Sequence, residues 1–138
     1  MPEAAELVRS LFDAVNAREA EALEELCDER IDMILLPVEG GGRATSYIGH
    51  SGLRELLVDA AAAWEELLLT PGEVQPRDDV VLVRGRVHTR SRELGLRDLP
   101  VAWVFWIRNG RFTSARVFAE VDDAIEAVDP GSPGPSRV

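Results

Sequence analysis

The stretch PVAWVFWIRNGRFTSARVF, residues 100–118, constrains the fold more than any other part of the chain. Asn109-Gly110 predicts a tight β-hairpin, because both residues tolerate the positive φ of a type I′ turn. The flanks break the usual pattern. A hairpin with one wet face alternates apolar and polar residues, yet here large apolar groups point both ways. The fold must therefore cover this sheet on both sides.

In a two-residue hairpin the residues flanking the turn pair on one face, so Arg108 lies opposite Arg111. Counting outward, face one carries Ala102, Val104, Trp106, Thr113, Ala115, Val117 and Ala119. Face two carries Val101, Trp103, Phe105, Ile107, Phe112, Ser114, Arg116, Phe118 and Glu120. The preceding hairpin turns near RELGL, with Gly95 as the left-handed residue of a three-residue loop. That register pairs Arg92 with Leu96 and Arg86 with Ala102. It adds Leu82, Arg84, Arg86 and His88 to face one, and Val81, Val83, Val87 and Thr89 to face two. A two- or four-residue loop exchanges these sets. Apolarity alone makes face two, a slab of aromatics, the core.

Upstream, Leu7, Val8, Leu11, Phe12 and Val15 form one stripe of a helix over about residues 3–17. A shorter acidic helix runs to about Cys27, and IDMILLP reads as a strand stopped by Pro37. VEGGGRATS is a loop; Gly40, Gly41 and Gly42 lack the strand-to-helix spacing of a phosphate loop. Ser51 caps a third helix with the stripe Leu53, Leu56, Leu57, Ala60 and Trp64. Strands are predicted over about 67–75, 79–92, 96–108 and 111–121, with a bulge or bend at Pro71-Gly72. VDDAIEAV closes as a short helix capped by Asp122, and the Pro/Gly/Ser-rich tail 129–138 buries too little to order itself. Residues 1–128 thus form one α+β domain with three helices before most of the sheet.

Composition narrows the function. A net charge of −10 argues against nucleic acid as a partner, since phosphate binding needs a basic face. No apolar run spans a membrane, and MPEAAELVRS lacks an export signal. Cys27 is the single cysteine, which fits the reducing cytoplasm and leaves no cysteine set for zinc. With only His50 and His88, no all-histidine metal site exists within one chain, and no cofactor is expected. Residues 19–32 are strongly acidic, whereas residues 84–97 hold Arg84, Arg86, Arg90, Arg92 and Arg97 against Glu93. The two stretches are either solvated surfaces, or some of the arginines receive an anionic group.

Two stretches carry a family resemblance. YIGHSGLRELL at 47–57 resembles the Tyr-x-Gly-x-x-Gly entry to a helix in SnoaL-like domains of the nuclear-transport-factor-2-like superfamily. VFWIRNGRFTSARVFAEVDDAIEA at 104–127 resembles that group's closing hairpin and short helix. The resemblance covers about residues 4–128. It implies a cystatin-like, cone-shaped fold: a curved mixed or antiparallel sheet wrapped around three N-terminal helices and enclosing an apolar pocket. It also implies a homodimer through the sheet's outer surface. By that analogy face one lines the pocket and face two is outer, the reverse of the apolarity argument. Relatives include polyketide cyclases, ketosteroid isomerases and limonene epoxide hydrolases.

Their acids do not carry over. Leu36, before Pro37, stands where the isomerases have their base, and Ala102 or Val104 where they have a second acid. Val117 replaces the epoxide-hydrolase Asp, and of its Arg/Asp partners only an arginine survives in Arg84-x-Arg86 or Arg86-x-His88. Glu120 stands where many SnoaL-like members have an Asp.

The candidate site follows from this frame. His88 is the candidate acid–base group, with a partly wet strand histidine as the alternative. Arg86 is the candidate anion receiver, against a solvated or acid-paired arginine. Phe12, Tyr47, Trp64, Arg84, Val104, Trp106, Ala115 and Val117 line the pocket, against plain packing roles. Trp103, Phe105 and Phe118 form the dimer contact, against a monomer whose core they make. The implied function is binding of a small, mostly apolar molecule, with isomerisation, cyclisation or hydration as the reaction classes. The alternative is a non-catalytic dimerisation or partner-binding module with a filled cavity.

Overall fold

Residues 4–35, 45–92, 95–118 and 121–128 are described by a computed structural model. Helices α1 (Ala4–Ala17) and α2 (Ala20–Leu26) lead into strand β1 (Cys27–Leu35). Strand β2 (Thr45–Ile48) feeds helix α3 (Gly49–Ala63), followed by β3 (Glu66–Arg77), β4 (Val80–Ser91), β5 (Gly95–Arg108) and β6 (Arg111–Phe118). Helix α4 (Val121–Val128) closes the described chain. Most predicted elements are present. β1 starts earlier than IDMILLP suggested, and β2 was not foreseen. Ser51 does not cap α3: the helix begins at Gly49, whose φ of +72° turns the chain directly out of β2.

The six strands form one curved sheet in the order β2-β1-β6-β5-β4-β3. Only the β1–β6 pair is parallel among these neighbours. Asn109 and Gly110 take φ values of 55° and 74°, as the hairpin demands. A register shift between Pro71 and Val74 marks the predicted irregularity in β3. In the β4–β5 hairpin Arg84 pairs with Ala102, Arg86 with Pro100 and His88 with Asp98. This differs by two residues from the expected register, so every side chain keeps its expected face.

The β5–β6 hairpin departs further. Ile107 pairs with Phe112 but Trp106 with Ser114, leaving Thr113 as an extra, bulged residue. The bulge reverses alternation along β6. Ala115 and Val117 therefore share a face with Trp103 and Phe105, contrary to the simple count.

Helices α1–α3 cover the face of Val101, Trp103, Phe105 and Phe112, which pack with Leu7, Val8, Leu11, Phe12, Leu23 and Leu53 in the main core. The Phe12 ring meets Trp103 edge-on at 4.7 Å between centroids, and Phe105 at 5.9 Å. Apolarity thus decides the faces, and the analogy that put face two outside is overturned. Trp103 and Phe105 are 4% and 3% exposed, so they are core residues of one chain and not a dimer contact. The part of the opposite, outer face around Leu82, Ala102 and Val104 is covered within the same chain. Ala124 of α4 packs into Leu82, Ala102 and Val104, flanked by Val80, Trp106 and Phe118. Leu36, Pro37, Gly40–Gly42, Ala119, Glu120 and the tail 129–138 lie outside the described residues.

Candidate functional site

Helix α1 packs on β3, whereas α3 packs on β1 and β2, so the middle of the sheet lies between them. There Trp103, Phe105, Ala115 and Val117 face inward, with Phe12 of α1 packed over Trp103 and Phe105. Around it Val15 of α1, Leu56 and Leu57 of α3, and Leu67 and Leu69 of β3 pack against the core yet stay half-buried. Asn16 fixes the end of α1 to β3. Its Nδ2 donates to the Leu69 carbonyl at 2.9 Å, and its Oδ1 accepts from the Leu69 N–H at 2.8 Å.

One polar pair lies at the β2 edge of the core, with its carboxylate exposed. The Tyr47 hydroxyl donates to Asp59 Oδ2 at 2.7 Å, linking β2 to α3. The Tyr-x-Gly-x-x-Gly motif explains the closeness: a Cβ on Gly52 would sit 3.0 Å from the Tyr47 carbonyl carbon, so only glycine lets the helix approach. Burial pushes the Tyr47 phenol up to about 12, helped by its hydrogen bond to Asp59 and by the charges of Asp59 and Glu55. At neutral pH it is a proton-bearing donor beside a carboxylate acceptor. Cys27 is no nucleophile, since burial raises its thiol to about 12.

The sequence-predicted site divides between the two faces. Phe12, Tyr47, Ala115 and Val117 belong to the inner side, and half-buried Trp64 ends α3, its N–H donating to the Ala60 carbonyl. Val104, Trp106 and Phe118 lie outside with α4, and Arg84 is exposed on that face. Arg86 and His88 are also outside, so no single cavity holds them with Phe12 and Tyr47. They share one acid instead. Arg86 Nε donates to Asp98 Oδ1 at 2.6 Å, and His88 Nδ1 lies 3.5 Å from the same oxygen. Beside them a half-open depression of about 310 Å³ is lined by Glu66, Leu68, His88, Leu96, Arg97 and Asp98.

Sequence reasoning missed Asp59 and Asp98. The two-residue register slip hid Asp98, because the expected pairing set His88 opposite Pro100. Asp59 had no local signal, since its partner sits on another element. Among the described residues no group of three His, Cys, Asp or Glu side chains is placed to hold a metal ion, and no helix is long and apolar enough to cross a membrane.

The model of the SnoaL-like domain family matches residues 8–115. No curated protein matches the chain. Solved structures share the fold. TerC, co-crystallised with polyporic acid, superposes with a TM-score of 0.75 at 19% identity, covering 88% of this chain and 95% of that one. A protein with a ketosteroid isomerase-like fold from Catenulispora acidiphila, in complex with trimethylamine, gives 0.75 at 14% identity over 95% and 96% of the two chains. A putative polyketide cyclase from Sinorhizobium meliloti gives 0.66 at 22% identity over 85% and 94%.

Proposed function

This chain belongs to the SnoaL-like domain family, and on that premise we propose that it binds a small, mostly apolar molecule between α1 and α3. The observation that carries the reading is the Tyr47–Asp59 pair, which ties a tyrosine of the inner core to an exposed carboxylate of α3. Apolar walls supply affinity, and one donor with one acceptor fixes orientation. On binding, the Tyr47 hydroxyl turns its single proton from Asp59 to a ligand carbonyl, and the Asp59 oxygen so freed accepts from a neighbouring hydroxyl or takes the proton of an acidified C–H. The reaction class such a pair serves is proton transfer next to a carbonyl. The ligand named with TerC and the polyketide cyclase described from Sinorhizobium meliloti support this choice of ligand class.

A second reading keeps His88 as acid–base group and Arg86 as anion receiver on the outer face, because both converge on Asp98 beside the depression. Titrating a hydroxynaphthoquinone against tryptophan fluorescence separates the two. Tyr47→Phe weakens binding roughly tenfold, the value of one well-made hydrogen bond, and His88→Ala leaves it unchanged. The opposite pattern would move the site outside.

A further inference from the structure

Along β4 from the patch that Ala124 covers, the outer face carries two neighbouring cross-strand rows. In one, Leu68 pairs with His88 and His88 with Asp98; in the next, Glu66 pairs with Arg90 and Arg90 with Leu96. Acids therefore stand at one pair of diagonal corners and leucines at the other. The depression of about 310 Å³ is lined by all four corners and by His88 of the middle strand.

The charges at the corners are already spent. Asp98 Oδ1 accepts from Arg86 Nε at 2.6 Å, and Glu66 Oε1 meets Arg90 Nη2 at 2.8 Å. Arg97 also borders the depression, but it pairs with Thr89 and by alternation belongs to the other face. What is left to a ligand is apolar surface and one ring nitrogen. Leu68 and Leu96 are 48% and 78% exposed; one such leucine means little, but these two line the same concavity. His88 Nδ1 lies 3.5 Å from Asp98 Oδ1, and the carboxylate favours the proton on that nitrogen, leaving Nε2 as an acceptor.

We propose that this depression binds a small neutral phenol, its rings between Leu68 and Leu96 and its hydroxyl donating to His88 Nε2. A charged ligand would compete with the Arg86–Asp98 or Arg90–Glu66 pair, whereas a neutral one leaves both intact. The volume stands at the lower end of the roughly 300–1,000 Å³ of small-molecule sites, which suits about two fused rings. The site lies on the opposite side of the sheet from Tyr47 and does not rest on the inner-face reading. It shares His88 with the outer-face reading but needs no proton transfer. Turnover tests that reading; binding tests this one.

The probe is 2-naphthol, titrated into the full chain at pH 8, with 2-methoxynaphthalene as the analogue that cannot donate. The chain has two histidines, so ring-proton NMR signals, assigned with His88→Phe, locate the site. Binding moves the His88 signals and leaves those of His50 in place. By calorimetry 2-methoxynaphthalene binds roughly tenfold more weakly, and 2-naphthol loses the same factor in His88→Phe, which keeps a ring and removes the acceptor. Leu96→Asp, at an exposed wall, weakens both ligands, and Tyr47→Phe weakens neither. The proposal is overturned if the His88 signals stay in place, if the two naphthalenes bind alike, or if Leu96→Asp binds as the parent does. It also falls if Tyr47→Phe weakens 2-naphthol and His88→Phe does not, for then the ligand sits between α1 and α3.

Discussion

Tyr47 shows how a single side chain carries a structural and a chemical role together. It sits in the main core, yet its hydroxyl reaches Asp59 on the neighbouring helix. Burial and that acceptor both favour the neutral phenol, holding it to about 12 against roughly 10 for a free tyrosine. The folded-state value is the higher one, so the stabilisation is complete below pH of about 10 and is lost as pH rises toward 12. The chain has one tyrosine, so tyrosinate absorbance reports this group alone. We expect a titration midpoint well above that of free tyrosine, moving down in Asp59→Asn, which removes a charge that opposes ionisation. A midpoint near the free value would place the hydroxyl in water. Tyr47 was legible in its glycine-spaced motif. Asp59 was not, because only tertiary packing brings its helix turn to β2.

Among the elements, the β3–β4–β5 ladder depends on a glycine at its centre. Gly85 pairs with Pro71 and Val101, and the Trp103 ring lies over it. A Cβ there would collide with the Thr70 carbonyl oxygen and stand 2.8 Å from Trp103 Cζ3. A backbone oxygen held in a ladder cannot yield as a side-chain tip does. Gly85→Ala should therefore lower stability by about 2–3 kcal/mol, read from urea unfolding; a parent-like value would mean that the two strands slide apart freely. The same ladder shows what the residues revealed. The expected sharing of a face by Arg84, Arg86 and His88 with Ala102 and Val104 holds, since a three-residue loop fixes parity. The register slipped by two because Gly95 pairs with Ser91 instead of lying inside the loop. The bulge at Thr113 carried no glycine to announce it, and its hydroxyl donates to the Trp106 carbonyl at 3.2 Å. That one residue moved Ala115 and Val117 to the inner face, and no count from the turn could have found it.

For the whole molecule, the decisive question is what covers a sheet that is apolar on both sides. Helices α1–α3 cover one side, and α4 supplies a cover to the other through Ala124, which is fully buried against Leu82, Ala102 and Val104. The aromatic slab that suggested a partner subunit is the core of a single chain, and the outer patch beneath α4 is smaller. Its residues still form a continuous apolar surface across β4, β5 and β6 once the helix is gone. Exposed patches of that kind drive association or aggregation. A chain ending before Val121 should therefore bind a hydrophobic dye and show a mass that rises with concentration in light scattering, while the full chain does neither at the same concentrations. Ala124→Glu tests the same contact without shortening the chain, because a carboxylate forced against Leu82 and Val104 must either stay unpaired or lift α4 away. If the shortened chain stays monodisperse and dye-free, α4 does not provide the cover. The outer face would then owe its low exposure to the close packing of its own strands.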